Sequence, residues 1–374
     1  MRIVIVGGGI AAVYIANTLM ERDGTSEVVI VSDEEHPPYD RIHLCKLVED
    51  CNCVDSIELE LHPKVRLELN QKIDSIDTEQ KRIFSENAAY HYDKLIIATG
   101  SRPKSLFDIS GIENAATFRS QKDCEQIAQG MIGKNVVIVG AGPIALELLD
   151  TLMRSDAPKS ITLLVRKSYL YSASISREGL ALIQGIFEAD PRVRIQFNDQ
   201  ITDKEIQGNR SSKIVTKGGE IDDPFVIFGV GIDPNIPFAR GTLECDRGIL
   251  VDARMCTSDE NIYCVGEAAQ LREGGFVAGR VKECTIEADV AIANLFGEDR
   301  IFTEEVSIDG LKVGSFLFAD VTATDFDPND KENENILISH GDRIDQYIVN
   351  HDRLKSFIGI NTNIDLLALQ RLIE

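Results

Sequence analysis

The residues best suited to chemistry in this 374-residue chain are glycines. Gly7-x-Gly9-x-x-Ala12 and Gly140-x-Gly142-x-x-Ala145 share one spacing. In that spacing the first glycine allows a tight turn and the second lets the backbone approach a pyrophosphate. The small third residue lets a helix pack closely on a strand. The helix start then offers free N–H groups and a positive dipole end to the phosphates. After the first loop, Asp33, or Glu34 if the register slips by one, is placed to accept hydrogen bonds from ribose hydroxyls. The plain alternative is a glycine turn that holds no ligand. Glu147 follows the second loop, with Arg166 and Lys167 further on. An acid at the position of Arg166 would favour a free ribose 2′-hydroxyl. Arginine can instead bind a 2′-phosphate, which favours NADPH over NADH. The alternative there is a solvated arginine at a strand end.

These loops need a strand before them and a helix after them, and the patterning predicts both. Ile3–Val6 is a β-branched run, Ile10–Met20 is amphipathic, and Val28–Val31 is a second β-branched run: one βαβ unit. Val136–Val139, Pro143–Arg154 and Ile161–Val165 repeat it. Phe225–Gly231 and Asn261–Gly266 read as further short strands ending in glycine, and Cys284–Phe296 as a helix. Past Asp299 the texture changes to short alternating segments, such as Leu311–Phe318 and Tyr347–Asn350, around an acidic stretch from Asp325 to Asn335. Residues 301–374 therefore read as a small strand-containing third domain.

Composition narrows the partners. The formal net charge is −22, which argues against nucleic acid and against an anionic membrane surface. Acidic clusters such as Glu304-Glu305 are solvated faces or docking surfaces for a basic partner. The chain opens directly on the strand-like Met1–Val6, a run too short to cross a membrane, so no signal peptide is expected. Eight cysteines are scattered without a CxxC pair, which points to reduced thiols in a cytoplasmic protein. Cys51-x-Cys53 could join a metal site only with further ligands. His62 is the one nearby candidate and a zinc site wants four, so no metal is expected. His36, His43 and His91 lack the spacing of a metal cluster or a catalytic triad.

Several segments together resemble the two-dinucleotide-binding-domain flavoproteins, the group that includes glutathione reductase and the ferredoxin reductases. Pro38–Lys46 is similar to the flavin-side segment of rubredoxin reductases and of the flavin module of the NAD(P)H nitrite reductase large subunit. Tyr92–Pro103 matches the strand and crossover after the first half-domain. Gly248–Asp252, Thr257–Asp259 and Ile262–Ala268 match the second flavin-binding segment. Glu267 stands where most of the family has Asp, and Phe276–Gly279 resembles the nitrite reductase module.

The resemblance implies an α/β, glutathione reductase-like fold with two Rossmann-like domains and a small C-terminal α+β domain. It implies an FAD-binding domain of residues 1–107 and 229–300, an NAD(P)-binding domain of 108–228, and an interface domain of 301–374. In relatives the interface domain covers the flavin and can help form homodimers. Gly7, Gly9, Ala12 and Asp33 or Glu34 would hold the ADP half of FAD. Arg41 and Lys46 would reach the pyrophosphate and ring region. Thr99, Gly100 and Arg102 would lie alongside the cofactor, and Gly266 and Glu267 would meet the ribitol. Gly140, Gly142, Ala145, Glu147, Arg166 and Gly231 would bind the nicotinamide nucleotide. The implied reaction is hydride transfer from NAD(P)H to FAD, with electrons passed to a small redox protein such as rubredoxin or ferredoxin. Lys46 would tune the flavin, because a nearby cation stabilises the charge that builds on reduction.

The chain departs from its relatives in two ways. The CxxxxC pair of the disulfide reductases is missing near the first helix. The single cysteine of the coenzyme A-disulfide reductases falls at Ile42, and Cys45 occupies a place that is usually serine. Cys45 is thus either a small buried residue or a redox thiol beside Lys46, which would make the chain a thiol-dependent oxidase or small-disulfide reductase. A third alternative is an FAD-binding assembly or redox-sensor protein. No Cys-rich iron–sulfur or sirohaem module appears up to Glu374, so direct nitrite reduction is not expected.

Overall fold

A computed structural model describes residues 1–374 apart from Ala173, Val277, Ala278, Ser315 and Glu374. The Phe276–Gly279 motif thus lies partly outside the described residues. The helices are α1 (Ile10–Arg22), α2 (Leu44–Glu49), α3 (Gln121–Gly130), α4 (Pro143–Met153), α5 (Arg177–Glu188), α6 (Val281–Leu295) and α7 (Leu366–Ile373). The chain divides into two compact units. One comprises 1–44, 52–102 and 232–303; the other comprises 45–51, 103–231 and 304–374.

The first unit is built on a parallel sheet with strand order 262–264, 94–97, 2–6, 27–31, 66–68. Its strands 2–6, 27–31, 94–97 and 262–264 are largely buried apolar runs because both faces are covered, whereas the edge strand 66–68 is polar and partly exposed. Ile3, Val4 and Ile5 are fully buried, as are Leu95, Ile96 and Ile97. α1 packs on α6 through small and branched side chains, with Ala12, Ile15, Ala16 and Leu19 all at zero exposure. Tyr14 donates to Asp289 across that packing at 2.7 Å. α6 begins three residues earlier than the periodicity predicts. The Glu283 carboxylate accepts from the Arg280 N–H and so caps the extra turn. A three-stranded antiparallel sheet, 73–77, 82–85 and 89–91, has no counterpart in the sequence reading, since its strands are short and mostly polar.

The second unit repeats the design with order 193–197, 160–165, 135–139, 224–228, 115–117. A hairpin sheet of 201–207, 210–216 and 219–222 stands beside it in sequence. Residues 307–313, 316–322, 353–360, 343–350 and 334–340 form a five-stranded antiparallel sheet. α7 packs on it through Leu369 against Val321 and Phe357. Gln346 of this sheet accepts from the Ser176 N–H and donates to the Ser174 carbonyl, both at 2.7 Å. These bonds hold the start of α5, whose N-cap is Ser176.

Candidate functional site

The two glycine loops are built alike. Gly7 has φ +118, and a Cβ there would stand 2.3 Å from the Ala98 carbonyl oxygen. Gly140 has φ +133, and a Cβ there would stand 2.2 Å from the Gly229 carbonyl oxygen. Both first glycines are therefore required by the neighbouring strand. The second glycines differ in kind. Nothing lies within 4 Å of a Cβ at Gly9 or Gly142, so these positions border open space. They also serve as N-caps of α1 and α4, without a side-chain cap and without an acid in the first turn. Each helix start thus presents N–H groups that no side chain satisfies, the arrangement that suits a phosphate. Ala12 and Ala145 are buried, as the spacing requires.

Around the first loop, the C-terminal ends of the parallel strands bring several predicted residues together at the point where strand order reverses. Thr99 Oγ1 donates to the Asn235 carbonyl at 2.8 Å, and the Asn235 N–H donates to the Gly100 carbonyl at 2.9 Å. The Ser101 hydroxyl donates to Glu267 at 2.7 Å. Gly266, at φ +71, donates its N–H to Glu287. Gly279 must be glycine, because a Cβ would overlap Glu267 Cγ at 1.9 Å. Arg102 is exposed.

Asp33 is exposed, whereas Glu34 is half-buried. Glu34 pairs with Arg41 and accepts from the Tyr39 hydroxyl at 2.6 Å. Arg41 in turn donates to the Tyr39 oxygen at 2.7 Å and lies over its ring. Two residues assigned separate tasks from the sequence are therefore joined as an ion pair. The pair offers a fixed carboxylate and a fixed guanidinium.

Cys45 and Lys46 lie on α2, in the second unit. Burial pushes the Cys45 thiol up to about 11, and Thr151 and Glu147 of α4 lie beside it. A nucleophilic thiol needs the opposite shift. Lys46 is exposed. Burial, with Asp150 nearby, raises the Glu147 carboxyl above its ordinary range. Arg166 is exposed directly after the strand Ser160–Val165 and has no ion pair among the described residues. Gly231, at φ +104, accepts from the Lys104 N–H at 2.9 Å.

No group of three or more metal-binding side chains occurs among the described residues. His43 pairs with Asp40 at 2.9 Å, and His62 Nδ1 accepts from the Lys64 N–H. Ser101 and Glu287 are the site residues that sequence reasoning missed. Ser101 sits within the Tyr92–Pro103 segment, and its hydroxyl could have been matched to Glu267. Glu287 left one signal, an acid on the apolar face of its helix.

The uncapped helix starts, the open space at Gly9 and Gly142 and the placement at the strand ends fit FAD in the first unit. The same features fit a nicotinamide nucleotide in the second. They define a protein with two dinucleotide sites. Comparison with known proteins agrees. Residues 1–288 match the pyridine nucleotide-disulphide oxidoreductase family. The rubredoxin-NAD(+) reductase of Ectopseudomonas oleovorans is 28% identical over 284 residues, 73% of this chain and 73% of that protein. The nitrite reductase [NAD(P)H] of Bacillus subtilis is 27% identical over 334 residues, 84% of this chain but 40% of that protein. Among solved structures, the covalent putidaredoxin reductase–putidaredoxin complex superposes with a TM-score of 0.87 at 21% identity, covering 100% of this chain and 92% of that one. The chain belongs to the pyridine nucleotide-disulphide oxidoreductase family. It is a flavoprotein oxidoreductase that uses FAD and NAD(P)H. α1 contains no cysteine, so the enzyme lacks the thiol pair at that position.

Proposed function

We propose that this chain takes reducing equivalents from NADPH through FAD and passes them to a separate small redox protein. The observation that carries this reading is the pair of open, uncapped glycine loops in a chain whose first helix holds no thiol pair. FAD and the nicotinamide nucleotide, when bound, would supply the hydride-transfer and electron-transfer chemistry. Everything else falls to the protein. Gly7, Gly9 and the start of α1 hold the FAD phosphates, and the Glu34–Arg41 pair orients its ribose and pyrophosphate. Thr99, Gly100, Arg102, Gly266 and Glu267 line its ribitol side. Gly140, Gly142, Ala145, Glu147 and Gly231 hold the nicotinamide nucleotide. Arg166 selects the 2′-phosphate, which its exposure and lack of an ion partner support.

The acceptor belongs to the class named in the relatives, rubredoxins and ferredoxins, and the −22 charge selects one with a basic docking face. The domain division implied by the resemblance, 1–107 with 229–300, then 108–228 and 301–374, is part of this proposal. So is a cytoplasmic location, to which the lack of a membrane-length apolar helix among the described residues is no obstacle. So too is a homodimer through the C-terminal sheet, whose edge strand 334–340 exposes Ile336 and Ile338.

Anaerobic mixing of purified protein with NADPH and with NADH, followed by flavin absorbance, tests the reading. Rapid bleaching with NADPH and salt-sensitive reduction of an added redox protein are expected. Absence of a flavin band, or transfer only to oxygen and dyes, would overturn it.

A further inference from the structure

Glu287 lies on α6 with its side chain at zero exposure. Its Oε2 accepts the Gly266 N–H at 2.5 Å, and its Oε1 has no hydrogen-bond partner among the described residues. Gly266 is the residue before Glu267. The turn is thus held at two points, Glu287 on its backbone and Ser101 on the Glu267 carboxylate.

Among the described residues no ion pair to Glu287 is found. The groups around it are Glu283 and Cys284 on α6, Cys264 on the strand 262–264, and Glu267 on the turn, which lies beside Cys284. Arg280 is engaged with Glu283 at 2.7 Å, and Arg300 is nearest Asp289. Both arginines keep a third or more of their side chains in solvent. An ionised carboxylate in a dry site, with one oxygen unpaired and acids as neighbours, is strongly disfavoured. Protonation of Oε1 removes the charge and leaves Oε2 free to accept from Gly266. Burial accordingly pushes this carboxyl up to about 8.

We propose that Glu287 is a positioning residue of the flavin site that works as a neutral carboxylic acid, and that its ionisation loosens the Gly266–Glu267 turn and weakens FAD binding. This rests on the reading of that turn as part of the FAD site. The ionised form can relieve its cost only by admitting water or by moving α6 away from the turn, and either change lengthens or breaks the bond that holds the Gly266 N–H. Glutamine has nearly the same shape, stays neutral and keeps an oxygen for the Gly266 N–H.

The test is FAD affinity of the full-length protein, from fluorescence of released flavin, between about pH 6 and about pH 9.5, for wild type, E287Q and E287A. Wild-type affinity should fall by up to about tenfold per pH unit once the carboxyl ionises, as linkage requires. E287Q should match wild type at the acid end and lose the step. E287A should bind weakly throughout; if it does not fold, E287Q alone decides. A melting curve of the apoprotein across the same range gives a second readout, in which wild type loses midpoint temperature relative to E287Q. A step that persists in E287Q, or a wild type without one, overturns the proposal while leaving the FAD reading intact. Failure of wild type to bind FAD at any pH overturns both.

Discussion

The Ser101 hydroxyl donates to Oε2 of Glu267 at 2.7 Å, joining two chain segments 166 residues apart. The bond exists because Lys94–Ile97 and Ile262–Cys264 are adjacent parallel strands that end at the same level. It fixes the carboxylate that would face the ribitol. Ser101→Ala should therefore remove this bond to Glu267 and loosen its carboxylate. A bond to a charged acceptor contributes about 1.5–3 kcal/mol, so FAD affinity should fall by at most roughly 10- to 150-fold. Fluorescence titration of the apoprotein measures this, and an unchanged affinity would remove Glu267 from the site.

The paired glycines of the second loop should separate fold from binding. Gly140→Ala sets a Cβ against the Gly229 carbonyl at a φ that disfavours side chains, and should destabilise the protein by about 2–4 kcal/mol. Gly142→Ala meets nothing, at an ordinary extended φ of −80. It should leave the melting temperature unchanged and raise KM for the nucleotide. If Gly142→Ala alters neither quantity, the phosphate is not bound at α4.

Arg166→Asp should invert the nucleotide preference. A charged hydrogen bond to phosphate is worth about 1.5–3 kcal/mol, so kcat/KM for NADPH should drop roughly 10- to 100-fold. The value for NADH should hold or rise. Equal losses for both nucleotides would mean that Arg166 does not read the 2′-phosphate.

Cys45→Ser tests the thiol-dependent alternative. A thiol pushed up to about 11 is almost wholly protonated at neutral pH and a poor nucleophile. Turnover of the serine variant should stay within about twofold, since Ser is close in size and keeps a hydrogen-bonding group beside Thr151. Alkylation of Cys45 should be slow at neutral pH and quicken only in strong alkali. Rapid labelling accompanied by inactivation would contradict this.

Glu287 should shape the pH dependence of folding. Its folded-state carboxyl is raised to about 8 from an ordinary value of 4.5. A raised acid stabilises the fold fully below its unfolded value, and loses that contribution as pH climbs towards the folded one. Wild type should therefore lose stability between about pH 5 and about pH 8 relative to Glu287→Gln. Denaturant midpoints at several pH values measure the difference, and parallel curves would count against a buried neutral acid.

Much of this protein was legible because its chemistry is local. Gly7-x-Gly9 and Gly140-x-Gly142, each between a β-branched run and an amphipathic stretch, determined two βαβ units, since turn, helix start and phosphate cradle fall within a few consecutive residues. The absence of cysteine from Ile10–Arg22 likewise needed no structure. The short polar strands 73–77, 82–85 and 89–91 escaped because pairing, and not their own composition, makes them strands.

Tertiary structure decided the long-range relations. The sequence left Glu34 and Arg41 with separate tasks; folding brought their charges together around Tyr39. It left the Cys45 thiol open as a redox group; burial against α4 raised it out of the reactive range. It placed no role on Glu287; closure of α6 over the Gly266 turn made a surplus acid into a buried one. Spacing along the chain specifies which backbone can cradle a phosphate. The protonation state and partner of a side chain depend on which distant segments exclude water from it, and that is set only when the sheets and helices pack.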